Sequence, residues 1–235
     1  MIRQAAMAVA LLATWPAAAQ TDDMANPAFL WVEEGKALWS ERPRPGAKSC
    51  ADCHGAAETA MRGVAARHPA FDAKRGRAML LTQRLDACRV EHQGETPFEP
   101  ESRRQLGLAA YIALQSRGLP VAIAADGPLA KTVAEGRALY TRRIGQLDLS
   151  CAQCHDDLVG RRLAATAIPS GHVNAYPVYR SDWLGMGSFW RRLGNCTTGV
   201  RAEAFAPHSP EHVALESYLA ARGNDLPMQA PGFRN

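Results

Sequence analysis

Two short motifs, CADCH at residues 50–54 and CAQCH at 151–155, constrain this chain more than any other feature of its sequence. In each motif two residues separate a pair of cysteines, and a histidine directly follows the second cysteine. This is the attachment pattern of c-type haem, in which the cysteines form thioethers with the vinyl groups and the histidine binds the iron. The duplicated motif therefore predicts two covalently bound c-type haems.

Other uses of cysteine fit the pattern less well. The chain has six cysteines, which in an exported protein could form three disulfides. A thioredoxin-like CxxC requires a βαβ context, and a zinc site requires a second CxxC or a histidine pair in the same small domain. Because the sequence shows neither context, two CxxCH motifs favour haem.

The two motifs belong to a longer internal repeat. EEGKALW at 33–39 matches AEGRALY at 134–140, with the same 101-residue offset as the motifs. Further on, QRLDAC ending at Cys88 matches RRLGNC ending at Cys196 with an offset of 108, so the second half holds about seven extra residues. We expect this expansion, within 170–190, to shape the opening of the second site.

Each copy of the repeat is typical of a small helical domain. Asn26 before a proline, and Asp126 with a proline two residues later, predict matching helix starts. Closing helices are predicted at 102–118 and 209–223, and 119–128 is expected to be a linker packed along the surface. Since alternation typical of strands is nearly absent, we predict an all-α fold of two tandem class I-like cytochrome c domains related by the repeat.

The first residues are typical of an export signal. Arg3 precedes an apolar run at 5–15, and small residues lead to a predicted cleavage after Ala19. The run is too short to cross a membrane, and no later stretch approaches the required ~20 apolar residues, so we expect a soluble periplasmic protein. The predicted organisation is a signal peptide at 1–19, a first cytochrome c domain at 20–120 and a second at 121–235.

The charge of the chain excludes one class of partner. Its formal net charge is +4, and removal of Arg3 with the signal would leave +3. This is too small an excess to indicate nucleic-acid binding.

One cysteine in each half, Cys88 and Cys196, remains after the thioether positions are assigned. A disulfide joining the halves is the usual interpretation of such a pair in an exported protein, and an inert thiol or an iron ligand are the alternatives. Electron-transfer cytochromes usually present methionine opposite the histidine, and Met61, Met79 and Met186 are available.

Arginines near these cysteines favour the ligand interpretation. Arg84 and Arg192 each lie four residues before the third cysteine of their half. Positive charge favours the thiolate, the form that binds metal or attacks sulfur. For Arg84, and for Arg191 next to Arg192, a position on an exposed helix face is an equally good interpretation. Arg192 lies one turn before Cys196 and could share the helix face of that cysteine.

Five histidines lie outside the motifs, and each is expected to be a surface or capping residue rather than a ligand. The five are His68, His92, His172, His208 and His212. His172 lies in the expanded segment and is a candidate substrate contact.

The segment FWRRLGNCTTGVRAEAF at 189–205, together with the two CxxCH motifs each followed by an arginine and a lone cysteine, resembles the SoxA family. SoxA is the dihaem c-type subunit of the SoxAX cytochrome of bacterial thiosulfate oxidation. The resemblance spans nearly the whole mature chain, and the RRLGNC…VRAE segment is far more specific than CxxCH alone.

The resemblance implies a ligand set for each haem. In both halves two cysteines would attach the haem, and the motif histidine and the third cysteine would bind the iron. The implied residues are Cys50, Cys53, His54 and Cys88 for the first haem, and Cys151, Cys154, His155 and Cys196 for the second.

The resemblance also implies an activity, that of an L-cysteine S-thiosulfotransferase. Cys196 would be the catalytic residue, found in the family as a persulfide, and Arg192 would bind the anionic substrate. The reaction joins thiosulfate to a cysteine of the carrier protein SoxYZ and passes two electrons to haem, and the single-haem cytochrome SoxX is the partner subunit.

Two other functions remain open on the residues alone. A plain dihaem electron carrier would need Met79 and Met186 on the irons, and a dihaem peroxidase would need one iron with an open position. The matching positions of Cys88 and Cys196 disfavour both.

Overall fold

This computed structural model describes residues 25–164 and 166–234. Most regular secondary structure in this part of the chain is helical. The predicted export signal lies outside these residues. None of the helices in this part is long and apolar enough to cross a membrane. The α-helices are α1 (Ala28–Ser40), α2 (Cys50–His54), α3 (Ala57–Ala60), α4 (Leu81–Cys88), α5 (Arg103–Leu114), α6 (Ala130–Thr141), α7 (Cys151–His155), α8 (Phe189–Gly199) and α9 (Pro210–Ala221).

The predicted helix starts are close to those in the structure. The side-chain oxygen of Asn26 accepts a hydrogen bond from the Ala28 amide at 3.0 Å, which caps α1 as predicted. Asp126 precedes a 3₁₀ turn, Gly127–Leu129, that leads into α6. The closing helices α5 and α9 begin after Ser102 and Ser209, whose hydroxyl groups accept hydrogen bonds from first-turn amides.

Two helix pairs, α1 with α5 and α6 with α9, cross with their backbones in contact. A Cβ atom on Gly35 would overlap the carbonyl oxygen of Gly107, and one on Gly136 would overlap that of Ala214. Gly35 and Gly136 are 101 residues apart, the offset of the motifs. The repeat in the sequence therefore corresponds to the same close crossing in both halves.

The structure has seven short strands within the described residues, which the prediction of an all-α fold did not include. Each has two or three residues, too few for the alternation that reveals a strand in sequence. β1 pairs with β2 and β3 with β4, while the third sheet has the order β6-β5-β7, with β5–β6 antiparallel and β5–β7 parallel. The strands are β1 (Ala70–Asp72), β2 (Arg77–Met79), β3 (Arg162–Leu163), β4 (Thr166–Ala167), β5 (Val178–Arg180), β6 (Gly185–Gly187) and β7 (Gly232–Arg234).

The described residues form three apolar clusters, and one of them joins the two halves around residues 119–128. Residues 119–128 are packed, as predicted, with Val121 and Ile123 buried and Ala122 exposed. The Val121 amide donates to the Leu226 carbonyl at 2.9 Å, which ties this segment to the end of the chain. The buried cluster around it consists of Ala65, Ala66, Ala78, Leu80, Ala113, Val121, Ile123, Leu129, Val213, Ala220, Met228 and Ala230.

A strand of the second half also packs into the first half. Met186, on β6, is 1% exposed and belongs to the cluster formed around α1 and α5. The amide of Ser188 donates to the Glu101 carboxylate at 3.2 Å. Because Ser188 caps α8, the first half fixes the start of the helix that carries Cys196.

Candidate functional site

Both CxxCH motifs form a single helical turn with a capping box. The Ser150 hydroxyl accepts from the Gln153 amide at 3.3 Å, and the Gln153 side chain accepts from the Ser150 amide at 2.9 Å. Ser49 and Asp52 make the same reciprocal pair at 3.0 and 2.9 Å. The caps start α7 and α2 at their first cysteine, so both cysteines and the histidine of each motif share one short helix.

The second motif holds its histidine in a defined tautomer. Nδ1 of His155 lies 2.7 Å from the Pro169 carbonyl oxygen. A carbonyl can only accept, so Nδ1 carries a proton, and Nε2 is the nitrogen that would face a metal. A backbone carbonyl behind the ring is the usual support of a metal-ligating histidine. In the first motif the ring of His54 lies beside Trp39, with ring centroids 5.8 Å apart.

Each third cysteine lies beside the motif of its own half. Burial and the neighbouring Cys88 raise the pKa of the Cys50 thiol to about 11. Burial and the neighbouring Cys196 raise the pKa of the Cys151 thiol to about 11 in the same way. Within the described residues no disulfide joins Cys88 to Cys196.

Two of the methionines named as alternative ligands, Met79 and Met186, lie away from the second motif. Met61 packs against the cluster around α1 and α5, as Cys50 of the first motif also does. Met186 is in the core of the first half and does not line the cavity beside His155. Met79 is 2% exposed and lines a separate cavity of about 340 Å³ with His68 and Arg84. A plain electron carrier that needs Met186 on the second iron is therefore disfavoured.

A cavity of about 480 Å³ lies beside the second motif. Its volume is within the range of small-molecule and cofactor sites, roughly 300–1,000 Å³. Most of its wall is apolar or aromatic. Cys151, His155, Arg192 and Cys196, which sequence reasoning assigned to one site, all line it, whereas Cys154 does not.

Helix α8 directs Arg192 and Cys196 into this cavity. The two residues are four positions apart and share a face with the buried Phe189 and Leu193, which also line the cavity. Arg191 points elsewhere, with its guanidinium 4.5 Å from the centre of the Trp183 ring. The interpretation of Arg191 as a residue of an exposed face agrees with this geometry.

Two opposing effects act on the Cys196 thiol. Burial raises its pKa, and the positive charges of Arg192 and Arg180 lower it. Burial and Arg84 oppose each other in the same way at Cys88. The arginines therefore favour the thiolate as the sequence predicted, burial opposes it, and a bound metal would favour it further.

Several features at this cavity fit a covalently bound haem. One nitrogen of Arg222, Nη1, is buried without a hydrogen-bond partner within the described residues, while Nη2 donates to Asp156 at 2.7 Å. The positive charge of Arg222, after burial, lowers the pKa of the cavity residue His172, so the two groups lie close together. A haem carboxylate would satisfy Nη1, and the cysteine pair, the oriented His155 and the apolar wall would hold the macrocycle.

Sequence reasoning missed four charged or aromatic residues of the site. Asp156 is next to the motif, and Tyr176 and Arg180 lie in the expanded segment, so the sequence offered a signal for these three. Arg234 gave no signal, because it joins the cavity wall only through the pairing of β7 with β5.

Two of the remaining histidines lie near the second site. His212 is 3% exposed, and its Nε2 lies 3.0 Å from the Glu216 carboxylate. Its Nδ1 accepts a hydrogen bond from the His208 amide just before α9, so His212 is a buried capping residue, one of the two expected kinds. His172 lines the cavity, with Nδ1 2.9 Å from the Ser170 hydroxyl.

Comparison with known proteins places the chain in a family. The model of the family described as SoxA/TsdA, cytochrome c domain, matches residues 34–121. The L-cysteine S-thiosulfotransferase subunit SoxA of Rhodovulum sulfidophilum is 37% identical over 218 residues, which cover 93% of this chain and 76% of that protein. The chain belongs to the SoxA family. The SoxA subunit of Pseudaminobacter salicylatoxidans is 38% identical, with 92% of this chain and 76% of that protein covered.

A solved structure supports the SoxA assignment. The crystal structure of SoxXA from P. pantotrophus matches with a TM-score of 0.87 and 35% identity, covering 91% of this chain and 80% of that chain. The resemblance noted in the sequence is therefore confirmed, and with it a cytochrome c fold that binds c-type haem.

Proposed function

We propose that this chain is the dihaem, catalytic subunit of an L-cysteine S-thiosulfotransferase, which joins thiosulfate to a cysteine of the carrier protein SoxYZ. The observation that carries the proposal is the convergence of Arg192, Cys196 and His155 on one cavity with no acidic residue among its described lining residues. Such a wall favours an anionic substrate next to a sulfur atom.

Two haems, one in each of two tandem cytochrome c domains, are part of the proposal. Both motifs form capped helices of five residues, and both halves place a third cysteine beside the motif. We assign domains at 20–120 and 121–235. The proposed attachment residues are Cys50, Cys53, Cys151 and Cys154, and the proposed iron ligands are His54, Cys88, His155 and Cys196.

The proposed reaction forms one sulfur–sulfur bond. The sulfane sulfur of thiosulfate joins the sulfur of the carrier's cysteine, the carrier's thiol loses one proton, and two electrons are released. Haem, when bound, accepts these electrons. The carrier product is a cysteine S-thiosulfonate.

Different residues of the cavity would bind thiosulfate and carry out the sulfur exchange. The guanidinium of Arg192 has no hydrogen bond or ion pair with the rest of the described chain, so its donors are available to the oxygens of thiosulfate. Cys196, one helical turn away, offers a soft sulfur that can bond to the sulfane sulfur of intact thiosulfate, with loss of two electrons, and then leave as a thiolate when the carrier's cysteine attacks that sulfur. The buried Phe189 and Leu193 limit water at this position and hold both groups in register.

The partners and location follow from the same assignment. SoxX would be the partner subunit that carries electrons onward, and the solved relative is itself a SoxXA complex. The export signal at 1–19 would place the mature protein in the periplasm, where SoxYZ would deliver its cysteine.

The test uses the holo-complex with its partner subunit, incubated with thiosulfate, the carrier and an electron acceptor. Mass spectrometry of the carrier then measures conjugation. We expect Cys196→Ser to abolish it while the intact mass still shows two haems, because the thioether cysteines are unchanged. Arg192→Gln should lower kcat/KM about 10- to 100-fold through lost charge-assisted hydrogen bonds.

Arg191→Gln is the matched control, since it removes the adjacent positive charge outside the cavity and should behave as wild type. Undiminished conjugation by Cys196→Ser would refute the proposal. So would a Cys88–Cys196 disulfide in the purified protein, because it would leave an electron carrier without a free sulfur.

A further inference from the structure

The sheet formed by β5, β6 and β7 turns one of its faces towards the cavity. Val178 and Arg180 lie two residues apart on β5, so their side chains share a face, and both line the cavity. On the opposite face the rings of Tyr179 and Phe233 stack with centroids 6.1 Å apart. The alternation along β5 therefore directs Arg180 inwards.

Strand β7 brings a second arginine to the same position. Arg180 and Arg234 are register partners in the parallel pair β5–β7, so their side chains emerge side by side on one face. Arg234 also lines the cavity. With Arg192 on α8, three arginines from three elements line this cavity.

These cations are only partly neutralised. Arg180 pairs with Asp182 at 2.9 Å, and its side chain is 13% exposed. Arg234 donates to the neutral acceptors Phe233 O and Gln229 Oε1, at 2.8 and 2.9 Å. Among the described residues, only one carboxylate, that of Asp182, pairs with any of these three arginines, which leaves an excess of positive charge beside Cys196.

This arginine group is distinct from the cation that fits a haem carboxylate. Tyr176 and Cys196 lie within the electrostatic reach of Arg192 and Arg180, and Tyr176 also within that of Arg234. Arg222 instead acts on His172 and on Tyr140, whose hydroxyl bonds to Asp156 beside the motif. The cavity thus has one cationic region near the motif and another near Cys196.

We propose that Arg180 and Arg234, together with Arg192, form a recognition site for the sulfonate group of thiosulfate and of the thiosulfonate product. This inference rests on the proposed function. A sulfonate presents three equivalent oxygens, and guanidinium forks from three directions can bind them while the sulfane sulfur points to Cys196. Arg180 and Arg234 would then determine specificity for a tetrahedral oxyanion over a neutral thiol.

The experiment measures thiosulfate binding to the holo-complex by isothermal titration calorimetry, without the carrier. Arg234→Gln, and Arg180→Gln combined with Asp182→Asn so that no carboxylate is left unpaired, should each raise the Kd about tenfold. Arg180→Lys and Arg234→Lys should raise it less, because they keep the charge and lose the fork. Arg191→Gln serves as the control with an unchanged Kd.

Reduction potentials and haem absorption spectra of the same variants show whether these arginines bind the substrate or the haem carboxylates. Unchanged spectra and potentials with a weakened Kd support a substrate site. A shifted potential with an unchanged Kd would assign the arginines to the haem carboxylates and overturn the inference, as would a wild-type complex that binds no thiosulfate. If the variants weaken binding but the wild type conjugates nothing to the carrier, the site stands and the proposed function fails.

Discussion

The guanidinium of Arg222 contacts one carboxylate and two aromatic rings. Its Nη1 is buried and has no hydrogen-bond partner within the described residues. Nη2 donates to Asp156, and the charge lies 4.8 Å from the Tyr140 ring centre and 5.9 Å from that of Tyr218. Leaving a buried donor such as Nη1 unsatisfied costs about 1–3 kcal/mol. A haem carboxylate at the cavity edge would offset this cost, so Arg222 would help to hold the proposed second haem.

Arg222→Gln should lower the reduction potential of the second haem, because loss of a nearby positive charge favours the ferric state. A spectroelectrochemical titration of the holo-complex measures this potential. Arg137→Gln, on the exposed face of α6, removes the same charge and should leave the potential unchanged. Equal potentials in wild type and Arg222→Gln would show that this arginine does not interact with the haem.

Site residues close to a motif in the sequence were predictable. Site residues that strand pairing brings to the cavity from a distant part of the chain were not. Cys88 and Cys196 occupy matching positions of the repeat, and in the structure each lies beside the motif of its own half. The effect of Arg192 on Cys196 was predicted with the correct sign, but burial is a tertiary property and it dominates the pKa of that thiol. Arg234 lies 54 residues from its strand partner Arg180, and no local pattern reports that pairing.

At the scale of elements, two backbone crossings set the positions of the motif helices. α6 crosses α9 at Gly136, where the Ala214 carbonyl and the Tyr218 Cβ leave no room for a side chain. α7 follows α6, so the angle of this crossing determines where Cys151 and His155 lie. The glycine match between EEGKALW and AEGRALY is the sequence signal of this contact.

Gly136→Ala should destabilise the protein by about 1–3 kcal/mol or more from overpacking, despite a gain of ~1 kcal/mol in helix propensity. Thermal unfolding of the holo-protein followed by circular dichroism measures the change. Gly194→Ala, in α8, is the matched control because a Cβ there meets no atom within 4 Å, and it should be neutral or slightly stabilising. A Gly136→Ala variant as stable as wild type would show that the crossing can widen without cost.

The short strands mark the limit of prediction at this scale. The expanded segment was expected to shape an opening, and its residues do line the cavity from Ser170 to Arg180. Its second role was not foreseen, since β6 continues past the cavity and buries Met186 in the first half. A three-residue strand carries too little pattern to show that it packs outside its own half.

At the scale of the whole molecule, the two halves are joined by a common core and by polar contacts that cross between them. One of these contacts joins His208, before α9, to Thr82 on α4, with Nε2 3.2 Å from the hydroxyl oxygen. The His208 amide also donates to Nδ1 of the buried His212 at 3.0 Å. Since α4 carries Cys88, this contact links the helix of the first site to the buried network next to α8.

The pH dependence of stability follows from the protonation of His208. Burial first, and then the neighbouring His212 and Arg77, lower its pKa below the ordinary value of 6.5, while Glu216 opposes the shift. The unfolded chain therefore takes up a proton at a higher pH than the folded protein does. Stability from this group is complete above about pH 6.5 and is lost as the pH falls through the folded-state pKa.

We expect the thermal midpoint of the holo-protein to fall between about pH 7.5 and about pH 5.5, and to fall less in His208→Asn. Asparagine suits this position because His208 has a φ of 60°, which asparagine tolerates better than most residues. His68, whose pKa burial also lowers, remains in the variant and should preserve part of the slope. Identical slopes for wild type and His208→Asn would show that the contact between the halves does not sense protons, and that the acid sensitivity arises elsewhere in the fold.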